Sequence, residues 1–441
     1  MRWNAEAMTV AGLFERPLRA NPAFELVLFD RLPAGERRLL AGLERDPDHY
    51  GLLRPAPGGG AGGGGSGLGC KAVDRETALL ILTLGRPGLL PAYVRSRLGD
   101  AVAAQAVGRL VADGVLEIES EPGSFVSGAA AMPLFAARAA ASVRVDQALA
   151  GGRLGQLSRA ALRYGQDLAR TLPAVEPLRL SLRLYTYHRL PLTPRWQRLL
   201  PGPDAVRRHL GIAAGGPSRS LLERHWRTLT PAGEEPWMRW QPAAAKPAVP
   251  AGAVTYKLYV SLAPEAIPDA FGTVLDGLAA VGSPGFKIGA SAAGLLRPDK
   301  IVAYFAAFER LAEAAGALAE RLAGIAAHGV PFTSEIAGGG QLSWGVDPPP
   351  ETGFGPFEGY GRMSWRLWLT HRLARALISG VTSGVTAAGG GGPAAGEAPP
   401  GGEASEPWRF ALERLRLEGI DTDTWTPGGG LWRRQGEQAW R

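Results

Sequence analysis

At 441 residues with 46% apolar content, the chain is long enough for two or three domains with real cores, which excludes a wholly disordered protein. Its apolar runs are broken by Arg, Gly or Pro well short of the ~20 residues of a membrane span. The opening MRWNAEAMTVAGLFERPLR has no uninterrupted signal-peptide core, so no membrane association and a cytoplasmic location are predicted. The single Cys70 excludes an internal disulfide, and the six histidines are scattered without metal-ligand spacing, so neither a metal nor another cofactor is expected.

In chain order, residues 1–54 are expected to form an N-terminal helical segment. PAPGGGAGGGGSGLG (55–69) can bury almost nothing and reads as a flexible linker or long loop. No strand leads into it and no Lys-Ser/Thr pair follows at P-loop spacing, so it is not a phosphate-cradling loop. Residues 70–135 read as a winged-helix-like module. DRETALLILTLG, LLPAYVRSRLG and DAVAAQAVGRLVADG predict three short helices, with Asp74 and Asp100 as N-caps and Gly85, Gly99 and Gly114 as stops. VLEIES and GSFVSG predict a hairpin turning over Glu121, Pro122 and Gly123. Such a module can bind DNA, take up a leader peptide as an added strand, or simply support its neighbour. The 100–113 helix carries only Arg109 as a cation, which disfavours nucleic acid. A helical connector is expected over 136–174.

The formal charge of +7 is locally concentrated: eleven arginines fall between Arg179 and Arg239, far outnumbering the acids there. This suits an anionic partner, with a solvated Arg-rich surface as the alternative. SLRLYTYHRLPLTPRW alternates like a strand, with Arg183, Tyr185 and Tyr187 on one face.

In TYKLYVSL the alternation assigns Tyr256, Leu258, Val260 and Leu262 to a core face and Lys257, Tyr259 and Ser261 to the other. GFKIG sets Lys287 between Phe286 and Ile288 in the same way, and LLRPDKIVAYF supplies Arg297, Lys300 and Tyr304. A long amphipathic helix follows. Burying a lysine costs several kcal/mol without an anion. If neighbouring strands turn these faces the same way, they line a cationic pocket with no obvious acidic partner, suited to a phosphate dianion. A lysine crowded by cations in a dry site has its pKa lowered and can act as a general base, while a tyrosine beside it can donate a proton. Lysines snorkelling from strand ends to solvent are the other reading. Asp347 in SWGVDPPPE reads as a turn former. Residues 387–405 read as a second flexible linker, and 406–441 as a helical tail that docks back on the body.

YKLYVSL, FKIG, RPDKIVAYF, HGVPFTSEIAGGGQLSWGVDPP and YGRMSWRLWLTHRLARALI, in that order within roughly 175–386, resemble the HopA1-type effector domain of bacterial peptide natural-product clusters. That domain is the lyase subunit of class V lanthipeptide and thioamitide dehydratases and is distantly similar to phosphothreonine lyases. The resemblance implies an α+β fold whose lyase domain is an antiparallel or mixed sheet with flanking helices. It further implies β-elimination of phosphate from phosphoserine and phosphothreonine of a precursor peptide, giving dehydroalanine and dehydrobutyrine. A separate kinase-like protein would be the partner, since this chain shows no kinase-like motif. By motif, Lys287 takes the base's place, Lys257 a phosphate contact, and Arg297, Lys300, Tyr304 and Arg366 complete the substrate clamp. The related effector lyases carry a histidine acid where Tyr259 stands here. Either Tyr259 takes the acid's place with help from adjacent cations, or the leaving phosphate needs little protonation, or the site is inactive. His328 is a substitute candidate for the acid, with a structural cap or surface residue as its other reading. A non-catalytic precursor-binding subunit and a winged-helix DNA-binding regulator are the alternative functions.

Overall fold

The structure, a computed structural model, describes residues 13–28, 31–32, 49–56, 71–92, 95, 100–135, 152–171, 176–229, 236–244, 255–348, 363–389 and 406–428. The protein is α+β, and the strand pairs of its seven-stranded sheet and of its two three-stranded sheets are antiparallel. The chain forms two compact units.

The first unit comprises 1–144, 166–177 and 373–420. Where a helical N-terminal segment is expected, the described residues carry three strands: β1 (Leu18–Ala20), β2 (Phe24–Leu28) and β3 (His49–Pro55). β3 pairs with β2 and with β4 (Lys71–Asp74), so the glycine-rich stretch joins two strands of one sheet. The helix Arg75–Thr83 is capped as expected, Thr77 N–H donating to the Asp74 carboxylate at 2.7 Å. Of the second expected helix most residues lie outside the described ones. The third, Asp100–Ala112, ends before Gly114, whose φ of 76° is the left-handed conformation glycine adopts without strain. The hairpin of β5 (Leu116–Glu121) and β6 (Ser124–Val126) follows, and β1 adds a third strand beside β5. The tail helix Pro407–Leu417 buries Phe410 and Leu417 in the same core as Leu80, Val107 and Leu116. Arg414 fixes it there through a two-pronged bond to Asp113 at 2.7 and 2.8 Å.

The second unit comprises 145–165, 178–372 and 421–441. Its centre is a seven-stranded sheet of β7 (Trp226–Thr228), β8 (Trp237–Pro242), β9 (Tyr256–Val260), β10 (Gly285–Gly289), β11 (Ile301–Phe305), β12 (Ser334–Ile336) and β13 (Leu342–Val346). The spatial order is β12-β13-β9-β11-β10-β8-β7. One face is apolar: Trp240, Leu258, Val260, Phe286, Ile288, Ile301 and Ala303 pack with Phe271, Leu275, Leu311 and Leu318 of the helices Ile267–Ala280 and Phe308–Arg321. These helices approach closely because Gly277 lacks a side chain, and a Cβ there would lie 2.6 Å from Leu318. The stretch expected as a strand at 181–187 is instead the end of a helix, Pro177–Tyr185. Its leucines alternate in sequence, yet Leu180 and Leu184 are buried while Leu182 is 45% exposed, which is the i, i+4 pattern of a helix.

Candidate functional site

The strands of the second unit turn their polar residues to the opposite face, and the register brings these side chains into rows. Lys287 on β10 lies across from Arg239 on β8 and from Val302 on β11. Tyr304 on β11 lies across from Lys257 on β9, and Val302 from Tyr259. Lys257, Lys287 and Tyr304 therefore share one face, as the alternation in sequence requires.

The expectation of a pocket without acids is corrected by two buried carboxylates. Lys257 Nζ is 2.5 Å from Asp347 Oδ2, with both side chains almost wholly enclosed. Asp347 is more than a turn former: its Oδ1 accepts the Trp365 N–H at 3.0 Å at the start of the helix Trp365–Gly389. Trp365 in turn covers Gly345, where a Cβ would come within 2.8 Å of the indole. The second acid is Asp299, which accepts from Arg297 at 2.8 and 2.9 Å and from Arg366 at 3.0 Å. The Tyr185 hydroxyl joins this cluster, 3.3 Å from Asp299 and 3.2 Å from Arg297. Burial alone would push the Asp299 carboxyl up; Arg366 and Arg297 outweigh it and hold the group well below the carboxylate range.

Lys287 sits against an aromatic ring. Its Nζ stands 4.1 Å from the centre of the Trp237 ring, which also faces Arg297 at 5.1 Å. Burial, and next the positive charge of Lys257, lower its pKa to about 8, with Arg239 and Arg297 acting in the same direction. A base with such a pKa is about one-tenth neutral at pH 7 and half neutral at pH 8. Both phenols of this face are held protonated, first by burial and then by the Asp347 charge. Tyr259 is only 3% exposed, packed with Val302 and Val330, whereas Tyr304 is less enclosed, its ring 5.8 Å from Lys257 Nζ.

Two residues expected in the clamp have other engagements. Lys300 is fully enclosed, its Nζ 2.8 Å from the Leu262 carbonyl and 2.7 Å from His328 Nδ1. Burial lowers its pKa to about 7. His328 Nε2 lies 2.7 Å from the His188 carbonyl. Burial and the adjacent Lys300 depress its pKa to about 3, so near neutrality it is a neutral imidazole and not an imidazolium acid. Arg366 is also enclosed, spending its donors on Asp299, the Tyr185 carbonyl at 2.8 Å and the Pro331 carbonyl at 3.3 Å. Arg297 stays partly exposed beside Lys287.

Asp299, Trp237 and Arg239 complete the arrangement without being singled out as site residues from sequence, where Asp347 reads only as a turn former. The signal for Asp299 was its place between Arg297 and Lys300; for Trp237 and Arg239 it was the alternation of WMRW before the first lysine strand. Among the described residues no group of His, Cys, Asp or Glu could hold a metal ion, and no helix is long and apolar enough to cross a membrane.

No protein-family model and no curated protein matches the sequence. Among solved structures the chain is similar to an effector protein of Pseudomonas syringae pv. tomato strain DC3000, at 13% identity and a TM-score of 0.34 over 64% of this chain and 99% of that one. It is similar also to an effector protein of Pseudomonas syringae pv. syringae strain 61, at 13% identity and a TM-score of 0.33 over 63% and 99%.

Proposed function

We propose that the second unit is a phosphoserine and phosphothreonine lyase acting on a precursor peptide that a separate kinase-like protein phosphorylates. The observation that carries this reading is Lys287, a half-buried amine with its pKa lowered to about 8, beside Arg297 and across the strand pair from Arg239. Neutral Lys287 takes the α-proton of the phosphorylated residue. The Cα–H electron pair becomes the Cα=Cβ bond, the Cβ–O bond breaks, and phosphate leaves with its electron pair. Arg297, Arg239 and the Lys257 ammonium lower the energy of the charge that develops on that oxygen. Tyr304, the less enclosed phenol, delivers a proton to it. Lys300 and Arg366 serve by holding the surrounding chain. Elimination fits these groups better than hydrolysis, which needs an activated water. The leader of the peptide docks on residues 70–135, and the chemistry on the dehydrated core follows in other proteins.

The test is incubation of the purified chain with a chemically phosphorylated precursor, without ATP or metal, followed by mass spectrometry. Loss of phosphoric acid is expected, and Lys287→Ala should abolish it while changing peptide affinity only a few-fold, because removing a base costs rate and not binding. Absence of product even with the kinase partner added would overturn the enzymatic reading and leave a peptide-binding subunit.

A further inference from the structure

The two arginines on Asp299 differ in what their donors reach. Arg366 is enclosed, and each of its side-chain nitrogens has an acceptor: Asp299 at 3.0 Å, the Tyr185 carbonyl at 2.8 Å and the Pro331 carbonyl at 3.3 Å. Arg297 is bound along one edge only. Its Nε donates to Asp299 Oδ1 at 2.8 Å, and its Nη2 to Oδ2 at 2.9 Å and to the Tyr185 hydroxyl at 3.2 Å. That hydroxyl donates in turn to Oδ2 at 3.3 Å, closing a ring of bonds around the guanidinium edge. A guanidinium has five N–H donors, so these contacts use three and leave the two on Nη1. Among the described residues Nη1 meets no acceptor, and the side chain is 23% exposed. Its Cζ lies 5.1 Å from the centre of the Trp237 ring, the same ring that Lys287 faces at 4.1 Å.

A carboxylate this close to a guanidinium assigned to phosphate also repels that phosphate, so charge alone gives no reason for Asp299 to be there. Its placement is firm. Arg366 holds it from the enclosed side, and it follows Arg297 across Pro298, whose ring fixes φ and whose carbonyl accepts from Ser261 Oγ at 2.6 Å. We infer that Asp299, assisted by the Tyr185 hydroxyl, is a positioning residue for Arg297: it holds one guanidinium edge so that the Nη1 donors are aimed at the phosphate of the residue at Lys287. A side chain already fixed in its binding geometry loses little freedom when the anion arrives, which offsets the repulsion. The identity of the anion as a phosphorylated side chain rests on the lyase reading; the coupling of Asp299 to Arg297 in anion binding does not.

The experiment measures fluorescence anisotropy of a labelled eleven-residue phosphoserine peptide, and of its serine counterpart, on the full chain. It is run at pH 6, where Lys287, with its pKa of about 8, stays protonated. Charge alone and positioning predict opposite signs: removing a carboxylate near the phosphate tightens binding, whereas releasing Arg297 weakens it. Asp299→Asn should weaken binding of the phosphopeptide about tenfold and Tyr185→Phe about threefold, with the serine peptide unchanged. In an Arg297→Gln background neither substitution should change affinity further, because a positioning residue acts only through the group it positions, while a general loss of packing persists there. Tighter or unchanged phosphopeptide binding by Asp299→Asn overturns the inference, and so does a weakening that survives Arg297→Gln. Circular dichroism verifies the fold of each variant. If Asp299→Asn does not fold, Tyr185→Phe, which removes a single hydroxyl, decides by the same two comparisons. Elimination is scored separately by mass spectrometry on the phosphopeptide. Coupled affinities without product keep the positioning and remove the lyase, while product with uncoupled affinities does the reverse.

Discussion

Lys257 and Asp347 form an ion pair of 2.5 Å whose side chains are 11% and 9% exposed. The two lie on neighbouring strands, Asp347 just beyond the end of β13 and Lys257 inside β9. Enclosed charges of this kind are tolerated together and costly apart, because the survivor keeps its desolvation penalty and loses its partner. Asp347→Asn keeps an oxygen for the Trp365 N–H but leaves the ammonium alone. It should destabilise the fold by about 3–5 kcal/mol in urea unfolding, and adding Lys257→Met should recover much of that loss. If the single variant unfolds at the wild-type urea concentration, the pair contributes nothing.

A second expectation concerns pH. Lys287 must be neutral to take a proton, and its pKa is lowered to about 8, so elimination should rise from pH 6 to 8 and level off above. Burial sets most of that lowering and the Lys257 charge comes next. Lys257→Met removes the repulsion and leaves the Asp347 carboxylate nearby, so the midpoint should move up by about one pH unit. A rate that is flat with pH, or a midpoint that moves down, would remove Lys287 from the base's role.

What the sequence disclosed follows from the kind of information each feature needs. β9, β10 and β11 were legible because Tyr256, Leu258 and Val260, Phe286 and Ile288, and Ile301 and Ala303 alternate with polar residues, and parity alone assigns Lys257 and Lys287 to one face. Parity says nothing of strand order, so Arg239 opposite Lys287, and Asp347 beside a lysine ninety positions earlier, needed the register. Residue type identified Lys300 and Arg366 as cations without revealing that Leu262, His328, Asp299 and Tyr185 already occupy their donors. Four alternating leucines concealed the 177–185 helix, and the apolar runs FELVL and GLL do not by themselves reveal that β2, β3 and β4 form a sheet across a glycine-rich connection.

Lys300 makes a prediction about stability. In the fold its pKa is lowered to about 7, against 10.5 for an ordinary lysine. Below pH 7 both folded and unfolded chains hold the proton, and the burial penalty is felt in full. Between pH 7 and about 10.5 the unfolded chain binds a proton that the folded one does not, so stability contributed here rises with pH by up to ~1.4 kcal/mol per pH unit. Lys300→Met should lack this slope and lose ground to wild type in urea unfolding from pH 7 to 10, while phosphopeptide affinity stays unchanged. A parallel pair of stability curves would show Lys300 charged throughout, and weakened peptide binding in the folded variant would return it to the clamp.

The two phenols separate by a paired substitution. Phosphate leaving from Cβ gathers negative charge on the departing oxygen, and a proton delivered there is worth typically 10²-fold or more in rate. Tyr304 is partly open beside Lys257, with its proton retained by burial and by Asp347. Tyr259 holds its proton for the same reasons but is 3% exposed behind Val302 and Val330. Tyr304→Phe keeps the ring and removes the proton, so elimination should fall about 10²-fold with the peptide dissociation constant within a few-fold of wild type. Tyr259→Phe should change the rate less than about threefold, since a phenol that cannot reach the leaving group contributes only packing. The reverse ranking would assign the proton to Tyr259, as the effector-lyase resemblance implies. Rates near wild type in both variants would mean that the phosphate departs as its full anion, held by Arg297, Arg239 and Lys257 alone.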